Sequence, residues 1–188
     1  NKNILWITTD YGINRFNIAT KKFQPYYLGY KDKETFREHS FLATRNSEGL
    51  ILAASYKSGI YKFNTKSEDF EPFPIPEIDK NNIIQLFFDS SDNLWIVNDK
   101  NEIFRLKIKS DKITEKQKIT PPADFLHLCY DKKEKIWFQY ENYTLGYYSI
   151  QTEKFSDWGS KPYGELNEVL ENEGNILFAT NTGLIQYN

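Results

Sequence analysis

A tryptophan-centred segment returns five times along this chain, and that recurrence limits the folds open to it. The copies are Ile4-Leu5-Trp6-Ile7-Thr8-Thr9, Leu50-Ile51-Leu52-Ala53-Ala54-Ser55, Asn93-Leu94-Trp95-Ile96-Val97-Asn98, Lys135-Ile136-Trp137-Phe138-Gln139-Tyr140 and Asn175-Ile176-Leu177-Phe178-Ala179-Thr180. The central column reads Trp6, Leu52, Trp95, Trp137, Leu177, at spacings of 46, 43, 42 and 40 residues. A second column lies 10 or 11 residues further on, at Phe16, Phe63, Leu106, Tyr148 and Tyr187. Gly12, Gly59 and Gly183 mark the hairpin between the columns in three of the copies.

Each unit also carries a leading and a trailing strand pattern. The leading patterns are Ser40 to Thr44, Ile83 to Phe88, Phe125 to Tyr130 and Glu165 to Leu170, rich in β-branched and aromatic residues. Four-residue polar turns join them to the tryptophan strands. The fourth place of these turns reads Gly49, Asp92, Glu134, Gly174, where a hairpin favours positive φ. Glutamate fits that place worst, so a looser turn is expected at Glu134. Trailing strands centre on Phe23, Phe70, Ile113 and Phe155, with Pro25 and Pro72 just after the first two. Proline cannot donate to a ladder, which puts these strands at sheet edges.

A unit of about 40 to 45 residues with four short strands is the size of a propeller blade. Apolar residues alternate with period two, which excludes helical repeats of similar length. The expected fold is therefore all-β, a β-propeller arc of four to five four-stranded blades. The units run approximately over 1–38, 39–81, 82–122, 123–162 and 163–188 within one segment, the first and last incomplete. One four-stranded sheet cannot bury both faces; stacked sheets can, with the ring columns as the layer between them.

Composition excludes several functions. With 24 basic and 26 acidic residues the net charge is −2, so no basic excess holds a phosphate backbone, and no nucleic-acid partner is expected. A single cysteine and two histidines leave neither a disulfide framework nor a zinc module, and no cofactor or metal is expected. No apolar run reaches about 18 residues, as a membrane helix requires. No stretch resembles a signal peptide. The chain lacks methionine and opens inside a strand pattern, so it reads as a piece of a longer protein, with any targeting segment upstream.

The copy Leu5-Trp6-Ile7-Thr8-Thr9-Asp10-Tyr11-Gly12-Ile13-Asn14-Arg15-Phe16-Asn17 resembles the two-component regulator propeller repeat. Asn175 to Asn188 is the second-best copy, and the middle copies depart from the pattern: leucine replaces tryptophan at 52, and the glycine is missing near Asn101-Glu102 and Tyr143-Thr144. The resemblance implies an extracytoplasmic, periplasmic sensor region of a hybrid two-component regulator, with a seven-bladed parent propeller. It further implies an oligosaccharide or other small ligand, a histidine kinase elsewhere in the parent chain, and a homodimer as the working form. This segment itself is not expected to be an enzyme. The alternatives are a propeller lyase of the streptogramin-inactivating type and a generic protein-interaction scaffold.

Candidate ligand residues lie in two connectors. Trp158, with Tyr163 nearby, offers a ring on which a sugar could stack; the competing reading is a ring closing over a blade edge. Tyr30, Arg37 and His39 form the second candidate, with Arg37 able to grip a carboxylate, against a reading as a solvated loop. His127 and Cys129 share one strand face and read as structural residues. The recurring carboxylates Asp89, Asp92, Asp131 and Glu134 read as turn chemistry.

Overall fold

A computed structural model of the chain describes residues 3–28, 41–55, 59–75, 78, 83–159, 164–172 and 174–187. Among these residues the structure is entirely strands and turns. The first sheet holds β1 (Ile4–Thr9), β2 (Gly12–Asn17) and β3 (Lys22–Tyr26). The second holds β4 (Phe41–Arg45), β5 (Ile51–Ser55), β6 (Gly59–Asn64) and β7 (Asp69–Pro72). The third holds β8 (Ile83–Phe88), β9 (Asn93–Asn98), β10 (Ile103–Lys109) and β11 (Lys112–Ile119). The fourth holds β12 (Phe125–Tyr130), β13 (Lys135–Tyr140), β14 (Leu145–Ser149) and β15 (Lys154–Asp157). The fifth holds β16 (Leu166–Asn172), β17 (Asn175–Thr180) and β18 (Gly183–Tyr187). Each sheet is an antiparallel meander in chain order, the blade unit of a β-propeller. Pro25 and Pro72 lie in β3 and β7, the outer edges of their sheets.

The chain forms two compact units, Asn1–Ile119 and Thr120–Asn188. Within each, the core lies between consecutive sheets. Trp6 pairs with Arg15 while Leu5 pairs with Phe16, so the two ring columns occupy opposite faces of one sheet. The columns meet across the seams. Trp6 touches Phe63 of the second sheet edge-on at 4.8 Å. Leu52 shares a buried cluster with Leu106 of the third. Trp137 of the fourth shares one with Phe178 and Tyr187 of the fifth. Leu177 and Phe16 face outward, and their sheets expose Leu184 and Phe23 at 70% and 61%.

The turns follow the expected backbone demand with one difference. Gly49, Asp92 and Gly174 have φ of 94°, 59° and 85°. Glu134 does not enter the left-handed region; Lys132 takes it instead, at 64°. The turn is not loose, because Asp131 Oδ1 accepts the N–H groups of Lys133, Glu134 and Lys135 at 2.9–3.1 Å. Where the repeat glycine is missing, the left-handed residue moves one place earlier, to Asn101 and Tyr143.

One regularity has no counterpart in the sequence pattern. The leading strands β8, β12 and β16 each shift register against their partners near their starts, between Ile83 and Gln85, Phe125 and His127, and Leu166 and Glu168. An extra residue at each bulge turns a side chain out of the alternation, which leaves Ile84 and Leu126 exposed at 40% and 42%.

Candidate functional site

The repeat carboxylates serve the tryptophans. Asp89 Oδ2 accepts the indole N–H of Trp95 at 2.8 Å and Asn93 Nδ2 at 2.9 Å, while Oδ1 takes the N–H groups of Ser91 and Asn93. Asp131 reaches the indole of Trp137 in the same way at 3.4 Å. Trp95, Trp137, Asp89 and Asp131 are all buried. A buried indole N–H without an acceptor is costly, and the turn aspartate six residues upstream meets that need. In the second sheet the column residue is Leu52, and Asn46 stands where the third and fourth sheets have aspartate.

The described part of the first candidate connector is Trp158 and its neighbours. Trp158 follows β15, and its N–H donates to Leu145 O at 2.9 Å. Its half-buried ring stands edge-on to Trp137 at 5.1 Å and to Tyr187 at 6.2 Å. Tyr147 packs on Trp137 at 5.1 Å, and Lys135 Nζ lies 5.2 Å from the Tyr147 ring centre. Aromatic packing therefore takes up part of the Trp158 ring. Tyr163, Tyr30, Arg37 and His39 lie outside the described residues.

Gln139 clamps the far end of the same connector. It is fully buried, donates from Nε2 to Gly164 O at 3.0 Å, and accepts the Leu166 N–H on Oε1 at 3.0 Å. Gly164 has φ 104°, and a Cβ there would run into the side chains of Asn181 and Thr182. Sequence reasoning passed over Gln139. Its signal was a break in a column: the second residue after the central position is Thr8, Ala54, Val97, Gln139, Ala179. A long polar side chain at a buried strand position needs partners, and the connector backbone provides them. With Trp158 held at one end and Leu166 at the other, rigid sheets fix the connector at both ends.

His127 is half-buried in β12, and Cys129 is buried beside it. The Cys129 thiol donates to Asn167 O at 3.4 Å. Burial, with a smaller contribution from the charge of Glu168, pushes its pKa up to about 12. Among the described residues no three histidine, cysteine or acidic side chains gather as metal ligands.

No protein-family model matches the chain, and no curated protein matches it significantly. Solved structures do. The extracellular domain of the putative hybrid two component system BT4673 from B. thetaiotaomicron matches over 100% of this chain, at 17% identity and TM-score 0.68. Virginiamycin B lyase from Staphylococcus aureus matches over 99%, at 19% identity and TM-score 0.67. The Cps50 (Swd1) beta-propeller domain of Myceliophteria_thermophila matches over 100%, at 11% identity and TM-score 0.73. The chain spans 28% of the sensor domain, 62% of the lyase and 67% of the Cps50 domain. At these identities the likeness establishes the β-propeller fold. No helix among the described residues is long and apolar enough to cross a membrane.

Proposed function

We propose that this chain is a segment of the extracytoplasmic ligand-sensing propeller of a hybrid two-component regulator. It binds an oligosaccharide, and binding biases the geometry of a dimer that signals to a histidine kinase elsewhere in the parent chain. The repeat itself carries this reading: the five-copy column pattern resembles the two-component regulator propeller repeat, and the full chain length aligns with extracellular domains of such systems. The outer faces of the first and fifth sheets add support. They expose Leu5, Phe23, Leu170 and Leu184 on faces that, at the inner seams, are covered by another sheet. Further blades of the parent chain are the natural cover. Trp158 with Tyr163, and Tyr30 with Arg37 and His39, are the ligand residues in this proposal. Calorimetric titration of the protein with a panel of plant and host-glycan oligosaccharides tests it. Saturable binding, weakened in Trp158→Ala, is expected; no heat with any glycan counts against it.

A second reading, a propeller lyase, draws on the likeness to virginiamycin B lyase. Of the two histidines, His127 sits half-buried in a strand, and His39 lies outside the described residues. Incubation with quinupristin, followed by mass spectrometry, separates the two readings. Consumption of the compound would favour the lyase.

A further inference from the structure

The seam between the second and third sheets contains a cleft of about 500 Å³. Three of its lining residues stand at repeat positions that surround the tryptophan in the third and fourth sheets. Asn46 stands where Asp89 and Asp131 bind an indole N–H. Lys62 stands where Arg105 lies over Trp95 at 5.9 Å and Tyr147 packs on Trp137. Leu50 stands where Lys135 lies over the Trp137 ring at 6.0 Å. All three line the cleft, whereas Leu52, the shorter side chain in the tryptophan place, is buried in the seam core and does not. The cleft is thus lined by the repeat neighbours of position 52 and not by Leu52 itself.

The walls are built and held. Lys62 Nζ pairs across the seam with Asp111 Oδ2 at 2.9 Å, and Asp111 is fixed in a two-residue hairpin with Ser110, both at positive φ. The Ser47 N–H donates to Asp92 Oδ1 at 2.9 Å, and the Phe88 N–H donates to Thr44 Oγ1 at 3.1 Å, pinning the two sheets together. The interior is mixed. Leu50 and Ile108 supply an aliphatic floor. Asn46 is 8% exposed; its Oδ1 accepts the Leu50 N–H at 2.8 Å, and its amide nitrogen donates to no group among the described residues. The rim carries Lys62 and Lys66 against Glu48 and Asp111, which balance to zero.

We propose that this cleft is a binding slot for one neutral, polyhydroxylated ring of monosaccharide size. Such a ring lays its C–H face on Leu50 and Ile108 and finds both donors and acceptors on the rim. A ligand with net charge gains nothing from a balanced rim. The volume lies within the roughly 300–1,000 Å³ typical of small-molecule sites. This inference rests on the sensor reading and assigns it a subsite away from Trp158.

The test fills the slot. Leu50→Trp with Asn46→Asp puts a ring into the cleft from a residue that lines it and removes the amide donor. Wild-type protein and variants are titrated with glucose, galactose, xylose, arabinose and glucuronate by ligand-observed NMR, and folding is checked by circular dichroism. Saturable binding of a neutral sugar by wild type, weakened at least about tenfold in the double variant, is expected. Asn46→Asp alone keeps the oxygen that accepts the Leu50 N–H and removes the amide donor. It should weaken binding in the same direction even if the tryptophan variant fails to fold. Binding that survives both variants but is lost in Trp158→Ala leaves the sensor reading standing and overturns the slot. Preference for glucuronate also overturns the slot, and no binding of any sugar overturns both.

Discussion

A tryptophan fills the seam between the fourth and fifth sheets, and a cleft opens at the seam between the second and third. Trp137 fills the first, with Trp158, Tyr147 and Phe178 around it and Asp131 on its indole. Leu52 and Asn46 hold the same two places at the second, where Asn46 lines a cleft and Leu52 is buried in the core. Both seams bury a full apolar cluster. What differs is a pair of residues: Asp131 stands with Trp137, and Asn46 with Leu52. Asp131 answers a buried indole N–H; beside Leu52, the neutral amide of Asn46 keeps the turn bond alone.

The largest effect should come from Trp137→Ala. It removes a fully buried ring from the seam between the fourth and fifth sheets, at a cost of about 3–5 kcal/mol in urea unfolding. A loss under about 1 kcal/mol would mean that this seam is no tighter than the other. Next comes the acceptor. Asp89→Ala strands the Trp95 indole, the Asn93 amide and two backbone N–H groups, and should cost about 1–3 kcal/mol. Asn46→Ala strands one backbone N–H and should cost less, about 1 kcal/mol. Equal costs for the two would break the link between acid and indole.

The chain's legibility follows the same division. The ring columns were readable because a stacked-sheet core needs large apolar side chains at a fixed interval, and Trp6, Phe63, Trp137 and Tyr187 meet across seams as that need dictates. The edge prolines were readable because a missing donor has one place to go. The bulges at Ile84 and Leu126 were not, since strand composition does not say how many residues face one partner. Glu134 looked misplaced because the turn was judged by its fourth residue alone; the bonds to Asp131 allow Lys132 to take the strained backbone. Leu52 read as a worn copy of the repeat. Only the structure shows that its repeat neighbours Asn46, Leu50 and Lys62 line a cleft. Of the ligand candidates, Trp158 is described, and its ring is shared with the Trp137 cluster.

Acid should loosen the seam between the fourth and fifth sheets by a smaller amount. The hydrogen bond from Lys133, at 2.9 Å across the seam, holds Glu171 below the usual carboxylate range. A depressed folded pKa contributes stability above the unfolded value near 4.5, and that contribution is lost as pH falls through the folded value. Urea midpoints measured at pH 7 and pH 3 should differ less in Glu171→Gln than in wild type. The pair is exposed, so salt should erode the same difference. An unchanged pH dependence would remove this bridge from the account of the seam.

The smallest perturbation probes the same seam without altering it. Cys129 packs in the Trp137 cluster and donates to the backbone of β16 at Asn167. Burial is the main cause that raises its pKa to about 12, and the charge of Glu168 adds to it. A raised pKa keeps the neutral thiol in the fold, and stability from that preference fades only as pH rises past the free-thiol value near 9. At pH 8 the native protein should therefore not react with iodoacetamide over hours, whereas the urea-unfolded chain should react at the rate of a free thiol. Because alkylation needs both thiolate and access, slow native labelling measures how often the fourth and fifth sheets part. Labelling as fast as in urea would mean that the seam opens freely, and the contrast with the second and third sheets would lose its physical basis.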